Sequence, residues 1–373
     1  MSDRKNAHTK IKRRRAVRFS TALLVLAVLS ACGNGIDRDP PVGRTVFSFE
    51  DTSRPSYTGS DLRPLVTTVW YPARSGTAET AWRIGIFLPG HGAVDAPMAD
   101  SAERLPLIVL SHGTGGAAAQ LSWLAEELVQ EGYLVAAVNH HGNTAAEPNY
   151  HPQGFALWWE RATDVSVVID RLLASSKFAD RIDTDRIGVA GFSLGGFTAL
   201  LTAGARVDRN QWRAFCEATP DDVSCRLPPE AGFSPDTMVT TLTSDPWAVA
   251  SLKRAGDSYR DDRIKAAFLI APVLNAALTQ ESLQSIVVPV ALTVGDGDQQ
   301  AVANDNAVPM LRAIPESTLT LLPQVSHYTF LSRCSLKGRV FVRALCAERG
   351  DVSRVDTHRR VAADAVAFFD QAL

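Results

Sequence analysis

Ser193 stands where the sequence places a potential nucleophile. It is the central residue of GFSLG, residues 191–195, where the apolar run 186–192 ends and the apolar run 194–203 begins. A Gly-x-Ser-x-Gly turn between a strand and a helix can hold a serine in a strained conformation with its hydroxyl exposed. Flanking glycines remove the Cβ atoms that would collide there. The alternative is a glycine-rich turn that only packs a helix against a sheet, but the flanking elements favour the nucleophile.

A nucleophilic serine needs a base, and the chain has two histidines after Ser193. Where the serine occupies such a turn, the acid and then the histidine follow it along the chain. His327 comes directly after the last predicted strand, in a loop that can bring an imidazole over the edge of a sheet. His358 begins the final predicted helix beside two arginines, which is typical of a solvated residue. We therefore predict that His327 is the general base.

The acid that orients the base is expected after the preceding strand, residues 288–295. Two aspartates lie there, in the sequence Gly295-Asp296-Gly297-Asp298. The spacing favours Asp298, whose loop position lets its carboxylate turn toward the histidine. Asp296 is the alternative, and it also fits the role of a turn residue.

An oxyanion hole requires two backbone donors. The N–H of Leu194 follows the serine at the start of a helix, where developing negative charge is favoured. The second donor is expected in the loop SHGTGG, residues 111–116, with Thr114 as the first choice and Gly115 as the second. His112 is interpreted as a residue that orders this loop.

These residues require a scaffold of strands and helices, and the hydrophobic pattern supplies one. Residues 44–49 and 65–72 predict an opening antiparallel pair. Continuous apolar runs then alternate with helical patterns, which predicts an α/β fold with a mostly parallel sheet and helices on both faces. Further strands are predicted at 105–113, 133–140, 186–192, 264–273, 288–295 and 317–323, and helices at 122–132, 158–175, 194–203 and 359–373.

Residues 206–262 interrupt this alternation. The segment is rich in Pro, Asp and Thr, and a long segment at such a place is usually a functional lid or cap. Its aromatic side chains, with two tryptophans near the expected site, are candidates for an apolar acyl-binding region, although ordinary core packing is the alternative for each: Trp212, Phe215, Phe233, Trp247, Trp158 and Trp159.

The first 31 residues have the pattern of an export signal. Eight Lys or Arg residues in 1–18 precede an apolar run at 20–31, which is too short to cross a bilayer of about 30 Å. Small residues before Cys32 resemble the lipobox of bacterial lipoproteins, which implies cleavage before Cys32 and lipid on its sulfur. The alternative is a plain signal peptide with an incidental cysteine. We therefore predict a signal peptide at 1–31, a tether at 32–43 and a hydrolase domain at 44–373.

The remaining cysteines are expected to form disulfides. An even number in an exported chain favours pairing, and short separations favour Cys216 with Cys225 and Cys334 with Cys346, although four cysteines allow three pairings. The separations do not fit a zinc site, and no matching histidines accompany them. We predict no metal and no cofactor.

Charge excludes one class of partner. Without residues 1–31 the chain has a net charge of −9, with no basic patch in the sequence suited to nucleic acid phosphates. We therefore expect no nucleic acid partner. Membrane attachment would come from the lipid on Cys32, at the bacterial cell envelope, and the other partner is a small-molecule or lipid-like ester. The oligomeric state is not indicated.

A dinucleotide site is the competing interpretation of the glycine loop. Residues 113–118 fit G-x-G-x-x-A between a strand and a helix. However, the next strand ends in Asn139 and His140, without the acidic residue that would bind a ribose. The loop also does not open the sheet, and an exported protein has little access to NAD.

Taken together, the motifs resemble one family. LSHGTGG, GFSLGG, GDGD and VSHYTFLSRC, with TTVWYPA upstream, are similar to the serine-dependent branch of the dienelactone-hydrolase-like α/β hydrolases, relatives of which are plasma platelet-activating-factor acetylhydrolases and bacterial polyester hydrolases. The resemblance covers about residues 45 to 370. It implies the α/β-hydrolase fold with Ser193, Asp298 and His327 as the triad and Leu194 and Thr114 as oxyanion donors. True dienelactone hydrolases have cysteine at the nucleophile position, so a dienelactone substrate is not expected.

The sequence thus predicts an extracytoplasmic carboxylic ester hydrolase that works through an acyl-enzyme on Ser193. A non-catalytic binding lipoprotein on the same scaffold is the alternative. Among enzymes, a lipase, a polyesterase or a thioesterase stays open.

Overall fold

The computed structural model describes residues 39–373 except 60, 349 and 351. The predicted signal peptide, Cys32 and most of the predicted tether lie outside the described residues. The first strand begins at Val42, two residues before the predicted start of the hydrolase domain. None of the helices described here has the length and apolar character needed to cross a bilayer.

One mixed sheet organises the described residues. Its strands are β1 Val42–Pro55, β2 Leu62–Pro72, β3 Thr80–Ile84, β4 Phe87–Val94, β5 Leu105–Ser111, β6 Leu134–Val138, β7 Ile182–Phe192, β8 Ile264–Ile270, β9 Val290–Gly295, β10 Ser317–Leu322 and β11 Arg333–Cys334. Their order is β10-β9-β8-β7-β5-β6-β2-β1-β4-β11, and β3 pairs with β4. The six strands from β10 to β6 are parallel, whereas β2 is antiparallel to both β6 and β1.

Helices cover both faces of this sheet. They are α1 Ser122–Gln130, α2 Pro152–Ala156, α3 Glu160–Leu173, α4 Leu194–Ala203, α5 Arg209–Ala218, α6 Pro235–Ser244, α7 Pro246–Lys253, α8 Gln280–Gln284, α9 Ala307–Ala313, α10 Leu336–Phe341, α11 Arg343–Cys346 and α12 Arg354–Ala372. In β5, Leu107 and Val109 face a core that includes α3 and α4. Ile108 faces a second core that includes α1 and α12. Alternate strand residues therefore need apolar partners on both sides, which explains the continuous apolar runs.

The predicted fold class is confirmed: the chain has an α/β fold whose sheet is mostly parallel. The β3–β4 hairpin was not predicted. Four of the five residues in Thr80–Ile84 are exposed, so the segment lacks the apolar alternation that marks a half-buried strand.

The segment at 206–262 contains three of the helices, α5, α6 and α7, and ends just before β8. Two disulfides are formed, Cys216–Cys225 within this segment and Cys334–Cys346 after the last long strand. The favoured pairing of the four cysteines is thereby confirmed.

Candidate active site

Ser193 lies at the sharp turn between β7 and α4. Its backbone has φ 57° and ψ −120°, a conformation that costs free energy for a residue with a side chain. A Cβ on Gly191 would lie 2.1 Å from the carbonyl oxygen of Gly195, and a Cβ on Gly195 would lie 1.9 Å from that of Ser111. The two glycines of the motif are therefore required because the backbone passes too closely for any other residue.

The substitution Gly191→Ala is expected to lower the free energy of unfolding by about 3 kcal/mol or more, because the new methyl group meets backbone atoms that can move only if the turn opens. Gly92→Ala is the matched control. Its Cβ would make an ordinary contact at 3.4 Å with Arg44, and the change is expected to stay below about 1 kcal/mol. Urea unfolding of both variants measures the difference, and equal stability of the two would contradict the steric argument.

Three polar side chains form a continuous hydrogen-bonded chain at this turn. His327 Nε2 lies 3.0 Å from Ser193 Oγ, and His327 Nδ1 lies 2.7 Å from Asp298 Oδ2. All three residues are buried, with exposed fractions of 4–7%. With Nδ1–H donating to the carboxylate, Nε2 keeps a lone pair that can accept the serine proton. The structure thus brings together the three residues predicted from the sequence.

The position of Asp298 is fixed by its own loop. Its Oδ1 accepts hydrogen bonds from the N–H groups of Gln300 and Ala301, both at 2.8 Å, so Oδ2 is left to face the histidine. Asp296 is exposed and accepts a hydrogen bond from the N–H of Gln324 at 2.5 Å. Asp296 is therefore a turn residue, and the geometry favours Asp298 as the acid.

Another histidine stabilises the turn that carries His327 through a hydrogen bond. His358, on α12, donates from Nε2 to the carbonyl oxygen of Thr329 at 3.0 Å and stacks on the Trp123 ring with a centroid separation of 4.2 Å. Its exposed fraction is only 6%, so the prediction of a solvated residue was wrong. The two neighbouring arginines are exposed on another side of α12, so the charged local sequence does not indicate the environment of His358. Burial lowers the pKa of His358 to about 3.

His358 is expected to make the fold acid-sensitive. The unfolded imidazole has an ordinary pKa of about 6.5, so between this value and about 3 the unfolded chain binds more protons than the folded one. Stability therefore decreases as the pH falls. From pH 7 to pH 5 the contribution of His358 to the free energy of unfolding is expected to drop by about 2 kcal/mol.

Urea unfolding at several pH values, for the unchanged chain and for His358→Gln, measures this contribution. The glutamine amide can donate to the same carbonyl but does not titrate, so the variant should lose less stability at acid pH. Identical pH dependence of the two proteins would show that His358 is not buried as a neutral imidazole.

The loop after β5 approaches the serine from the other side. A Cβ on Gly113 would lie 3.3 Å from the Cβ of Ser193. The N–H of Gly115 donates to Asn143 Oδ1 at 2.6 Å, whereas that of Thr114 has no hydrogen bond to any residue that the structure describes. Of the two donors considered, Thr114 is therefore the one still available to a substrate oxygen. Leu194 is the first residue of α4, where N–H groups have no partner within the helix.

A buried polar network supports this loop, and no motif in the sequence indicated it. His112 donates from Nδ1 to the carbonyl oxygen of Gly113 at 2.7 Å and accepts from the N–H of His140 at 3.1 Å, which agrees with its predicted ordering role. The guanidinium of Arg161, on α3, donates to the carbonyl oxygen of His112. Burial lowers the pKa of Arg161 to about 9, so this residue is still charged at neutral pH.

Asp164 balances the positive charge of this network. It accepts from Arg63 Nε at 2.8 Å, from Arg54 at 2.7 Å and from His140 Nδ1 at 2.9 Å. The two guanidinium groups hold the pKa of Asp164 well below its usual range, although burial acts in the opposite direction. The two guanidinium groups already compensate the negative charge of Asp164. His140 therefore stays neutral, because burial lowers its pKa to about 3. The residues come from β1, β2, the chain just after β6, and α3, so no local motif could reveal them.

The aromatic residues of segment 206–262 form two separate contacts with the scaffold. Trp212 packs edge-on against Trp158, which packs edge-on against Phe197 of α4, with centroid separations of 5.5 and 6.1 Å. Phe233 packs edge-on against Phe155 at 5.5 Å. These contacts place the segment over the start of α4 and the chain after β6.

Two other predicted acyl-site residues have different positions. Trp159 is 1% exposed and donates from Nε1 to Ser251, so it belongs to the core. Trp247 contacts Tyr57 with a centroid separation of 5.5 Å. The segment also reaches the glycine loop, since a Cβ on Gly115 would lie 3.4 Å from Glu230 Cγ.

Comparison with known families agrees with this geometry. Residues 102–332, more than half of the chain, match the family described as serine aminopeptidase, S33. The chain belongs to this family. The family match contains all three residues of the hydrogen-bonded chain and ends just before the segment of β11, α10 and α11.

Relatives of this S33-family chain include a cutinase and an acetylhydrolase. It is 30% identical to cutinase est1 of Thermobifida alba over 151 residues, which are 39% of this chain and 47% of the relative. It is 25% identical to the platelet-activating factor acetylhydrolase of Bos taurus over 242 residues, 48% of this chain and 54% of the relative. The matches thus span about half the length of these relatives, and the second agrees with the acetylhydrolase resemblance found in the sequence.

A solved structure supports the fold of this S33-family chain. The ferulic acid esterase from Streptomyces cinnamoneus superimposes with a TM-score of 0.56, at 20% identity and with 90% of each chain covered. At this identity the similarity establishes the α/β-hydrolase fold alone.

Proposed function

We propose that the chain hydrolyses carboxylic esters outside the cytoplasm through an acyl-enzyme on Ser193. The observation that carries the proposal is the hydrogen-bonded chain from Asp298 through His327 to Ser193, at a strained turn that the fold maintains at a cost in free energy. A non-catalytic binding protein would not need this arrangement.

In the proposed reaction, Ser193 Oγ attacks the ester carbonyl carbon while His327 Nε2 accepts the serine proton. The imidazolium that forms is stabilised by Asp298, and the carbonyl oxygen, now negative, is stabilised by the N–H groups of Leu194 and Thr114. His327 returns the proton to the leaving alcohol, and the acyl group stays on Ser193. Water then attacks the acyl-enzyme by the same steps, which releases the acid and restores the serine.

An ester is favoured over an amide as the substrate. The name of the family refers to an aminopeptidase, but the relatives include a cutinase and an acetylhydrolase. Rates with p-nitrophenyl esters from acetate to palmitate, set against alanine p-nitroanilide, test the proposal and identify the preferred acyl length. Faster cleavage of the anilide than of every ester would overturn it, and so would a folded chain that cleaves neither.

The proposed location rests on two features. Both disulfides favour an oxidising compartment, and the N-terminal pattern favours export with lipid attachment at Cys32. Incorporation of labelled palmitate during growth, and its loss in Cys32→Ser, tests the anchor. If the unchanged chain takes up no label, it is not a lipoprotein.

A further inference from the structure

Three exposed apolar side chains lie on the short helix after β11. Leu336, Val340 and Phe341, on α10, have exposed fractions of 78, 56 and 81%. Ile84, at the turn of the β3–β4 hairpin, is 41% exposed. Leucine and phenylalanine side chains with so little cover are unfavourable in water, and clusters of them commonly mark a binding surface.

The two segments form one surface. β11 pairs with β4, with Arg333 opposite Leu88. The N–H of Ser335 donates to the carbonyl oxygen of Ile86 at 2.8 Å, and a Cβ on Gly338 would lie 3.2 Å from the Cβ of Ile86. The Cys334–Cys346 disulfide closes the loop that contains α10. The surface is therefore fixed to the sheet.

This surface is also strongly basic, although the sequence suggested no basic patch, because the fold joins residues 82–86 to residues 333–343. Residues 82–86 and 333–343 contain no acidic residue, and they contain five exposed cations, none of which forms an ion pair within the described part of the chain: Arg83, Arg333, Lys337, Arg339 and Arg343. The chain from Cys32 onward carries a net charge of −9, so the positive charge of this surface is opposite to that of the protein as a whole. An anionic layer would repel most of the molecule and attract this face.

We propose that this basic-apolar surface docks on an anionic phospholipid bilayer. Exposed leucine, valine and phenylalanine side chains would enter the region between headgroups and acyl chains, and the surrounding cations would bind lipid phosphates. α11 packs against the turn that carries His327, so docking would bring the candidate active site close to the lipid. The proposal does not depend on which ester is cleaved.

The test measures contact between this surface and lipid in the full-length chain. Phe341→Cys is labelled with a fluorescent dye, and the protein is reconstituted in vesicles that contain nitroxide-labelled phospholipid. The vesicles consist of phosphatidylcholine alone or of phosphatidylcholine with phosphatidylglycerol. Quenching of the dye is expected to be roughly threefold or more stronger with the anionic lipid, and to weaken at high salt.

Two controls make the outcome specific. The same dye at Val239→Cys, on α6 and outside this surface, is expected to show equal quenching in both vesicle types. Added to Phe341→Cys, the combined substitution Lys337→Glu, Arg339→Glu and Arg343→Glu should reduce quenching to the phosphatidylcholine level. It should leave hydrolysis of p-nitrophenyl acetate unchanged, since none of these residues belongs to the candidate active site.

Equal quenching at position 341 in both vesicle types would overturn the proposal, as would quenching that survives the charge reversal. Energy transfer between two labelled copies at position 341, without quenching by lipid, would instead assign the surface to contacts between chains. Failure of the ester assay alone would concern only the proposed function.

Discussion

Ser193→Ala is expected to lower kcat/KM for p-nitrophenyl esters about 10⁶-fold. The hydroxyl is the group that forms the acyl-enzyme, and its hydrogen bond to His327 at 3.0 Å makes it the only oxygen placed to lose its proton to that imidazole among the described contacts. Alanine keeps the Cβ and adds no atom, so the turn should keep its conformation. Reaction with a fluorophosphonate probe should disappear together with the hydrolysis.

Ser258→Ala provides the control for this substitution. Ser258 is exposed, lies in segment 206–262 and takes no part in the hydrogen-bonded chain at Ser193. Its removal should leave both the labelling and the hydrolysis unchanged. Labelling or hydrolysis that persists at the normal rate in Ser193→Ala would refute the assignment of the nucleophile. An unchanged circular dichroism spectrum would show that the variant is folded.

Asp298→Asn is expected to lower kcat about 10⁴-fold, through the orientation of its amide. Two backbone N–H groups bind Oδ1 at 2.8 Å, so the asparagine must keep its carbonyl oxygen there. Its NH₂ group then takes the place of Oδ2 and donates a hydrogen bond to His327 Nδ1. Nδ1 can accept this hydrogen bond only with its lone pair, so it cannot carry a proton. The proton of the imidazole is forced onto Nε2, which can no longer accept a proton from Ser193.

The neighbouring aspartate provides the matched control. Asp296→Asn changes the same charge two residues away, but this side chain is exposed and binds only the N–H of Gln324 in the hydrogen bonds described. We expect its kcat to stay within about twofold of the unchanged chain, because an exposed charge at this distance is screened by solvent. If Asp296→Asn has the larger effect, the roles of the two aspartates are reversed.

The sequence by itself determined the alternation of the parallel strands with the helices that cover them, and the candidate triad. A strand buried on both faces has to be a continuous apolar run, and the turns at 191–195 and 295–298 identify themselves by glycines next to reactive side chains. Such signals are local, because they depend on backbone conformation within a few residues. The pairing of the cysteines was also accessible, since nine and twelve residues are short loops to close.

Only the tertiary structure decided which polar residues are buried. His358 lies beside arginines in the sequence, yet it is buried against Trp123, because α12 turns that one face toward α1. Arg161 and Asp164 read as ordinary polar positions of an amphipathic helix, yet both are buried beneath the glycine loop. Their partners lie 24 to 110 residues away, so the contacts that neutralise their charges exist only after the sheet has assembled.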